Sequence, residues 1–76
     1  MSRRLPACTG HDVLRALERG GFYVHHMKGS HHSLRHHEKS ELRVVVPVHR
    51  KDLAPGTLRS IIKQCQLTEE EFIELL

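Results

Sequence analysis

The 76-residue chain carries twelve Lys or Arg against nine Asp or Glu, with eight histidines left uncharged in its net +3. This length gives one domain, residues 1–76, with a thin core, because so small a chain buries only about 60 % of its unfolded surface. A composition of 38 % hydrophobic and 28 % charged residues excludes a disordered tail. The longest apolar run, Val44-Val45-Val46, is far short of the roughly 18 residues of a membrane span.

Met1-Ser2-Arg3-Arg4 is basic, but no apolar stretch follows it, so no secretory signal is expected and the cytoplasm is the expected compartment. Thr9 reads as a helix N-cap with Asp12 as its capping-box acid, and Val13, Leu14 and Leu17 share one face. Gly20-Gly21 stops that helix, which is expected over about residues 10–19. Phe22-Tyr23-Val24 opens a strand continuing through His25 and His26, and Lys28-Gly29-Ser30 is a turn. His32, Leu34 and His36 then alternate with His31, Ser33 and Arg35 on a second strand. After a polar turn at His37-Glu38-Lys39-Ser40, a third strand covers Leu42 to Val46, and Pro47 marks its end.

A basic loop, His49-Arg50-Lys51-Asp52, leads to Pro55, suited to the first turn of a helix. In that helix Leu58, Ile61, Ile62 and Cys65 recur at helical spacing, with Arg59 and Lys63 on the wet side. Cys65 is thus expected to pack as a small hydrophobe, and with Cys8 it forms no Cys-x-x-Cys pattern. Thr68-Glu69-Glu70-Glu71 is a second capping box, opening a short last helix with Phe72, Leu75 and Leu76 on its apolar side. The expected fold is α+β, α-β-β-β-α plus a short C-terminal helix, with an antiparallel three-stranded sheet and helices on one face.

The basic balance favours polyanionic partners, either nucleic acid or an acidic protein. Histidines come mostly in adjacent pairs, and strand neighbours point to opposite faces, so one member of each pair can serve a given site. His25, His31 and His37 are the one trio that a metal would need to bring together, and no cysteine or helical His-x₃-His supports it, so no metal site is expected. Lys28-Gly29-Ser30-His31 is the sharper signal. Glycine lets a phosphate backbone approach closely, lysine can stabilise charge on its oxygens, and histidine can take or give a proton near neutrality. RNA cleavage by its own 2′-hydroxyl needs those three ingredients, but an ordinary hairpin turn has the same residues.

Taken together, Gly20-Gly21-Phe22, Lys28-Gly29-Ser30-His31-His32, Val46-Pro47-Val48-His49 and the stretch Leu53 to Gln64 resemble the HicA toxin family, over about residues 9–76. Four blocks in order are far more specific than any one. The resemblance implies a double-stranded-RNA-binding-domain-like fold and a metal-independent mRNA interferase without a small-molecule cofactor. It also implies neutralisation by a HicB-type antitoxin, an acidic protein that would cover the basic site. The family's functional histidine follows its Gly-Ser pair, which falls on His31, with His32 as the neighbouring alternative. Many members have arginine five residues earlier, where this chain has His26, which implies a weaker or pH-dependent grip on RNA.

Lys28, Gly29, Ser30, Arg50 and Lys51 are the expected RNA contacts, and Arg59 and Lys63 are either further contacts or a solvated surface. Tyr23 either stacks on a base or packs beside Phe22. A non-catalytic module binding structured RNA is the competing function for the same fold.

Overall fold

The structure, a computed structural model, describes residues 4–76; the basic start Met1-Ser2-Arg3 lies outside the described residues. The elements run α1 (Gly10–Arg19), β1 (Phe22–Lys28), β2 (His31–His36), β3 (Arg43–Pro47), α2 (Pro55–Gln64) and α3 (Glu69–Leu75). The three strands form one antiparallel sheet in the order β1-β2-β3. Helices α1 and α2 cover one face of it, α3 packs against those two helices, and the other face is open. This is the expected α-β-β-β-α order with its extra C-terminal helix.

Both capping boxes form. Thr9 Oγ1 accepts the Asp12 N–H at 3.2 Å while the Asp12 carboxylate accepts the Thr9 N–H at 3.0 Å. Thr68 and Glu71 repeat the exchange at 3.0 and 2.8 Å. Bonding to the N-cap backbone N–H, and then to its hydroxyl, holds the Asp12 and Glu71 carboxyls below the usual carboxylate range. Depressed folded-state values mean stabilisation that is complete above about pH 4, where the unfolded groups ionise, and lost as pH falls through the folded values. The urea midpoint of the wild type is therefore expected to decline below that pH, and the decline to flatten in Asp12→Asn/Glu71→Gln. Equal acid slopes in the two proteins would remove these caps as the cause.

The apolar faces meet as the spacing predicts. Val13, Leu14 and Leu17 of α1 and Leu58, Ile61 and Ile62 of α2 close over Leu34, Val44 and Val46 of the sheet, together with Phe72 of α3. Cys8 and Cys65 are both buried and free, and burial pushes the Cys65 thiol up to about 12. Gly10 is buried at the start of α1, where a Cβ would lie 2.5 Å from the Pro47 carbonyl oxygen and 2.8 Å from Val48 Cα. Helix and chain thus meet backbone to backbone at the end of β3.

Several boundaries differ from the sequence-based expectation. β1 runs on to Lys28, because the hairpin needs only Gly29 and Ser30 as its turn. Leu42 is buried but precedes β3, since its N–H bonds the Lys39 carbonyl in the turn; Pro47 is the strand's last residue rather than a stop outside it. At the C-terminus Leu76 is 41 % exposed and does not join Phe72 in the core.

Candidate nucleic-acid interface

Alternation along β2 divides the histidines. Leu34 is buried toward the helices, so His32 and His36 share its side, while His31, Ser33 and Arg35 look out from the open face. Across the strands, His31 pairs with Lys28 on β1 and with Pro47 on β3. The next row is His26, Ser33 and Val45, and the third is Tyr23, Arg35 and Arg43.

A bulge makes this possible. Val24 pairs with Leu34 but His26 pairs with Ser33, leaving His25 as an extra residue. Without it the period of two would match His26 to His32 and turn it toward the helices. With it, His26 and Lys28 both move to the open face, where His31 is. Alternation alone gives no sign of such an insertion.

Gly29 takes φ of +58°, and Ser30 is not among the residues with positive φ, the pattern of a type II′ hairpin with glycine first. Among the described residues, no atom beyond Gly29 and its chain neighbours lies within 4 Å of where a Gly29 Cβ would be, so the glycine serves the turn's geometry and leaves the hairpin tip bare. Ser30 anchors the tip from behind, its carbonyl accepting the Val48 N–H at 2.7 Å. His31 is exposed, and its ring has no hydrogen-bond or ion-pair partner among the described residues. His32 is half-buried, with Nδ1 3.4 Å from the Ser30 carbonyl, and it faces the helix side. Of the two, His31 is the one presented with Lys28.

The other expected contacts are less closely gathered. Arg50 and Lys51 are exposed on the segment between Val48, tied to Ser30, and Asp52, bridged to Thr9. They flank the hairpin without a hydrogen bond or ion pair to it. Arg59, midway along α2, lies 3.9 Å from Glu69 at the start of α3, and Lys63 is exposed on α2. Both belong to the helical layer, opposite the open face.

His36 is structural. Its Nδ1 accepts the backbone N–H groups of Glu38 and Lys39, both at 3.1 Å, so Nε2 carries the proton and donates to the Gly20 carbonyl at 3.0 Å. Its ring also meets Phe22 edge-on at 4.8 Å. His25, His31 and His37 do not come together: His31 and His37 are six residues apart along one extended segment, roughly 20 Å. Tyr23 does not pack beside Phe22, because consecutive strand residues point to opposite faces; its ring stacks on His37 at 4.5 Å.

Sequence reasoning does not single out Arg35, Arg43, His26 and the Tyr23–His37 stack as a group. Their common signal is registry, which needs the bulge and both hairpins.

Comparison with known proteins agrees with this geometry. The model of a family described as the HicA toxin of bacterial toxin–antitoxin matches residues 10–67. A search of curated proteins returns no match. With the match running from the first residue of α1 through α2, across the hairpin that bears Lys28 and His31, the chain belongs to the HicA toxin family of bacterial toxin–antitoxin systems.

Proposed function

We propose that this chain is the mRNA-cleaving toxin of its toxin–antitoxin pair, a single domain spanning residues 1–76 that acts in the cytoplasm. The observation that carries this reading is His31 itself: exposed, its ring without a hydrogen-bond or ion-pair partner among the described residues, and directly across from Lys28 at a bare glycine turn.

In this mechanism the RNA supplies its own nucleophile. The 2′-oxygen attacks the adjacent phosphorus as its proton leaves, the bond from phosphorus to the 5′-oxygen breaks, and the 5′-oxygen is protonated. The products are a 2′,3′-cyclic phosphate and a 5′-hydroxyl. His31 performs one of the two proton transfers and water the other. Lys28 stabilises charge building on the non-bridging oxygens. Gly29 admits the phosphate and Ser30 fixes the turn, while Arg50 and Lys51 attract the flanking backbone. No metal is required by this chemistry. A HicB-type antitoxin with an acidic face would neutralise the toxin by covering the Lys28–His31 row, drawn in by complementary charge.

The test is cleavage of a short single-stranded RNA by the purified wild type in excess chelator, with product ends analysed. Expected is cleavage undiminished by chelator, giving cyclic-phosphate ends. RNA binding without cleavage would transfer the case to a non-catalytic module, and activity abolished by chelator would overturn the metal-free mechanism.

A further inference from the structure

Charge is segregated in this domain. None of the residues in the three strands is Asp or Glu, whereas α3 alone carries Glu69, Glu70, Glu71 and Glu74. On the open face the densest positive charge is not at the hairpin but in the third row, where Arg35 and Arg43 are cross-strand neighbours.

That pairing is unfavourable in the protein alone. The Val45 N–H points outward to the Gln64 side chain at 3.2 Å, so the Ser33/Val45 row is not a hydrogen-bonded pair. By the period of two, neither is Arg35/Arg43, and such pairs bring side chains closest. Like charges directly opposite destabilise a sheet. Glu38 and Glu41, in the turn joining β2 to β3, make no ion pair with either arginine, and neither guanidinium has another partner among the described residues. A phosphate between them would relieve the repulsion and accept hydrogen bonds from both.

The same row ends in an aromatic surface. Tyr23 pairs with Arg35, and its ring lies against that of His37. Arginines beside a stacked aromatic pair match the chemistry of a single nucleic-acid strand, whose phosphates need cations and whose unstacked bases need a flat surface. An acidic protein would use the arginines but not the rings.

We propose that the Tyr23–Arg35–Arg43 row is a second RNA subsite, four residues along β2 from His31 or roughly 13 Å away. The arginine pair holds a phosphate of the bound single strand, and the Tyr23–His37 stack takes a base. His26 and Ser33 lie on the path between the two rows. This deepens the ribonuclease reading and rests on RNA being the substrate.

The experiment measures binding of a single-stranded RNA of about ten nucleotides to His31→Ala, alone and combined with Arg35→Gln/Arg43→Gln or with Tyr23→Leu. Polyglutamate serves as the protein-like anion. Expected is at least about tenfold weaker RNA binding in the arginine variant, with the slope of log K against log salt shallower by about 0.7 for each phosphate no longer neutralised. Tyr23→Leu should weaken RNA by at least about fivefold and leave polyglutamate unaffected. The arginine variant should unfold no earlier than its parent, since it is relieved of a repulsion. RNA affinity and salt slope unchanged by the arginine substitutions would overturn the proposal. So would RNA binding indifferent to Tyr23→Leu, which would make the row a surface for acidic proteins. Because binding is read without His31, a wild type that fails to cut RNA would sink the ribonuclease reading by a separate result.

Discussion

Replacing His31 with alanine is expected to lower RNA cleavage by about 10²–10⁴-fold, the usual contribution of a positioned acid–base group. The size of this effect follows from the role assigned to one proton transfer at one atom. Its cleanness follows from the environment: His31 is exposed, has no hydrogen-bond or ion-pair partner for its ring among the described residues, and is set at the first position of β2. Folding should hardly change, so the circular dichroism spectrum and melting temperature of His31→Ala should match the wild type. His32→Ala is the informative contrast. That ring turns toward the helices beside Val46 and Met27, and its removal should show in stability more than in rate. A folded His31→Ala that cuts RNA like the wild type, together with an inactive His32→Ala, would reverse the two roles.

Phe72→Ala should have the largest effect on stability. The ring is fully buried, 0 % exposed, and heads the largest side chains of the core. Truncating such a residue costs about 3–5 kcal/mol through lost transfer energy and the cavity left behind. A domain of this length has a total stability of only roughly 4–11 kcal/mol, so the variant should lose from about a quarter of it to all of it. Urea unfolding followed by circular dichroism would read this directly. The family match ends at residue 67, before α3 begins at Glu69, yet α3 supplies this plug. A chain ending at Leu67 should consequently be at least as unstable as Phe72→Ala. A shift below about 1 kcal/mol in Phe72→Ala, the range of surface changes, would show instead that α3 is peripheral.

Much of the fold is legible in the sequence because local chemistry and global packing agree. Thr9 and Thr68 announce helix starts by residues that bond their own turns, and Leu58, Ile61, Ile62 and Cys65 need no partner to declare their shared face. His31 is singled out by the family resemblance, through the Gly-Ser pair before it, and remains a proposed site residue. What escapes are quantities set between strands. The bulge at His25 shifts β1 by one residue, so Lys28, which reads as part of a turn, is in fact a strand residue facing His31. Arg35 and Arg43 are eight positions apart in sequence and become neighbours only through the register of β2 on β3. Tyr23 looks like a companion of Phe22 because they are adjacent, the arrangement a strand forbids. Arg50 and Lys51 stand out as a run of charge, but runs record sequence, and surfaces are assembled from rows.

The backbone contact at Gly10 has an implication for how such a gene decays. Any side chain introduced there pushes on the Pro47 carbonyl and on Val48. Pro47 is the cross-strand neighbour of His31, and Val48 holds the Ser30 carbonyl at the tip of the hairpin. A toxin freed from its inhibitor selects for alleles that disarm it, and substitutions at Gly10 are expected among them, although that residue is no part of the proposed RNA site. The vulnerable target for inactivating mutation is therefore wider than the chemistry. It extends through the sheet to a position whose only contribution is to be small.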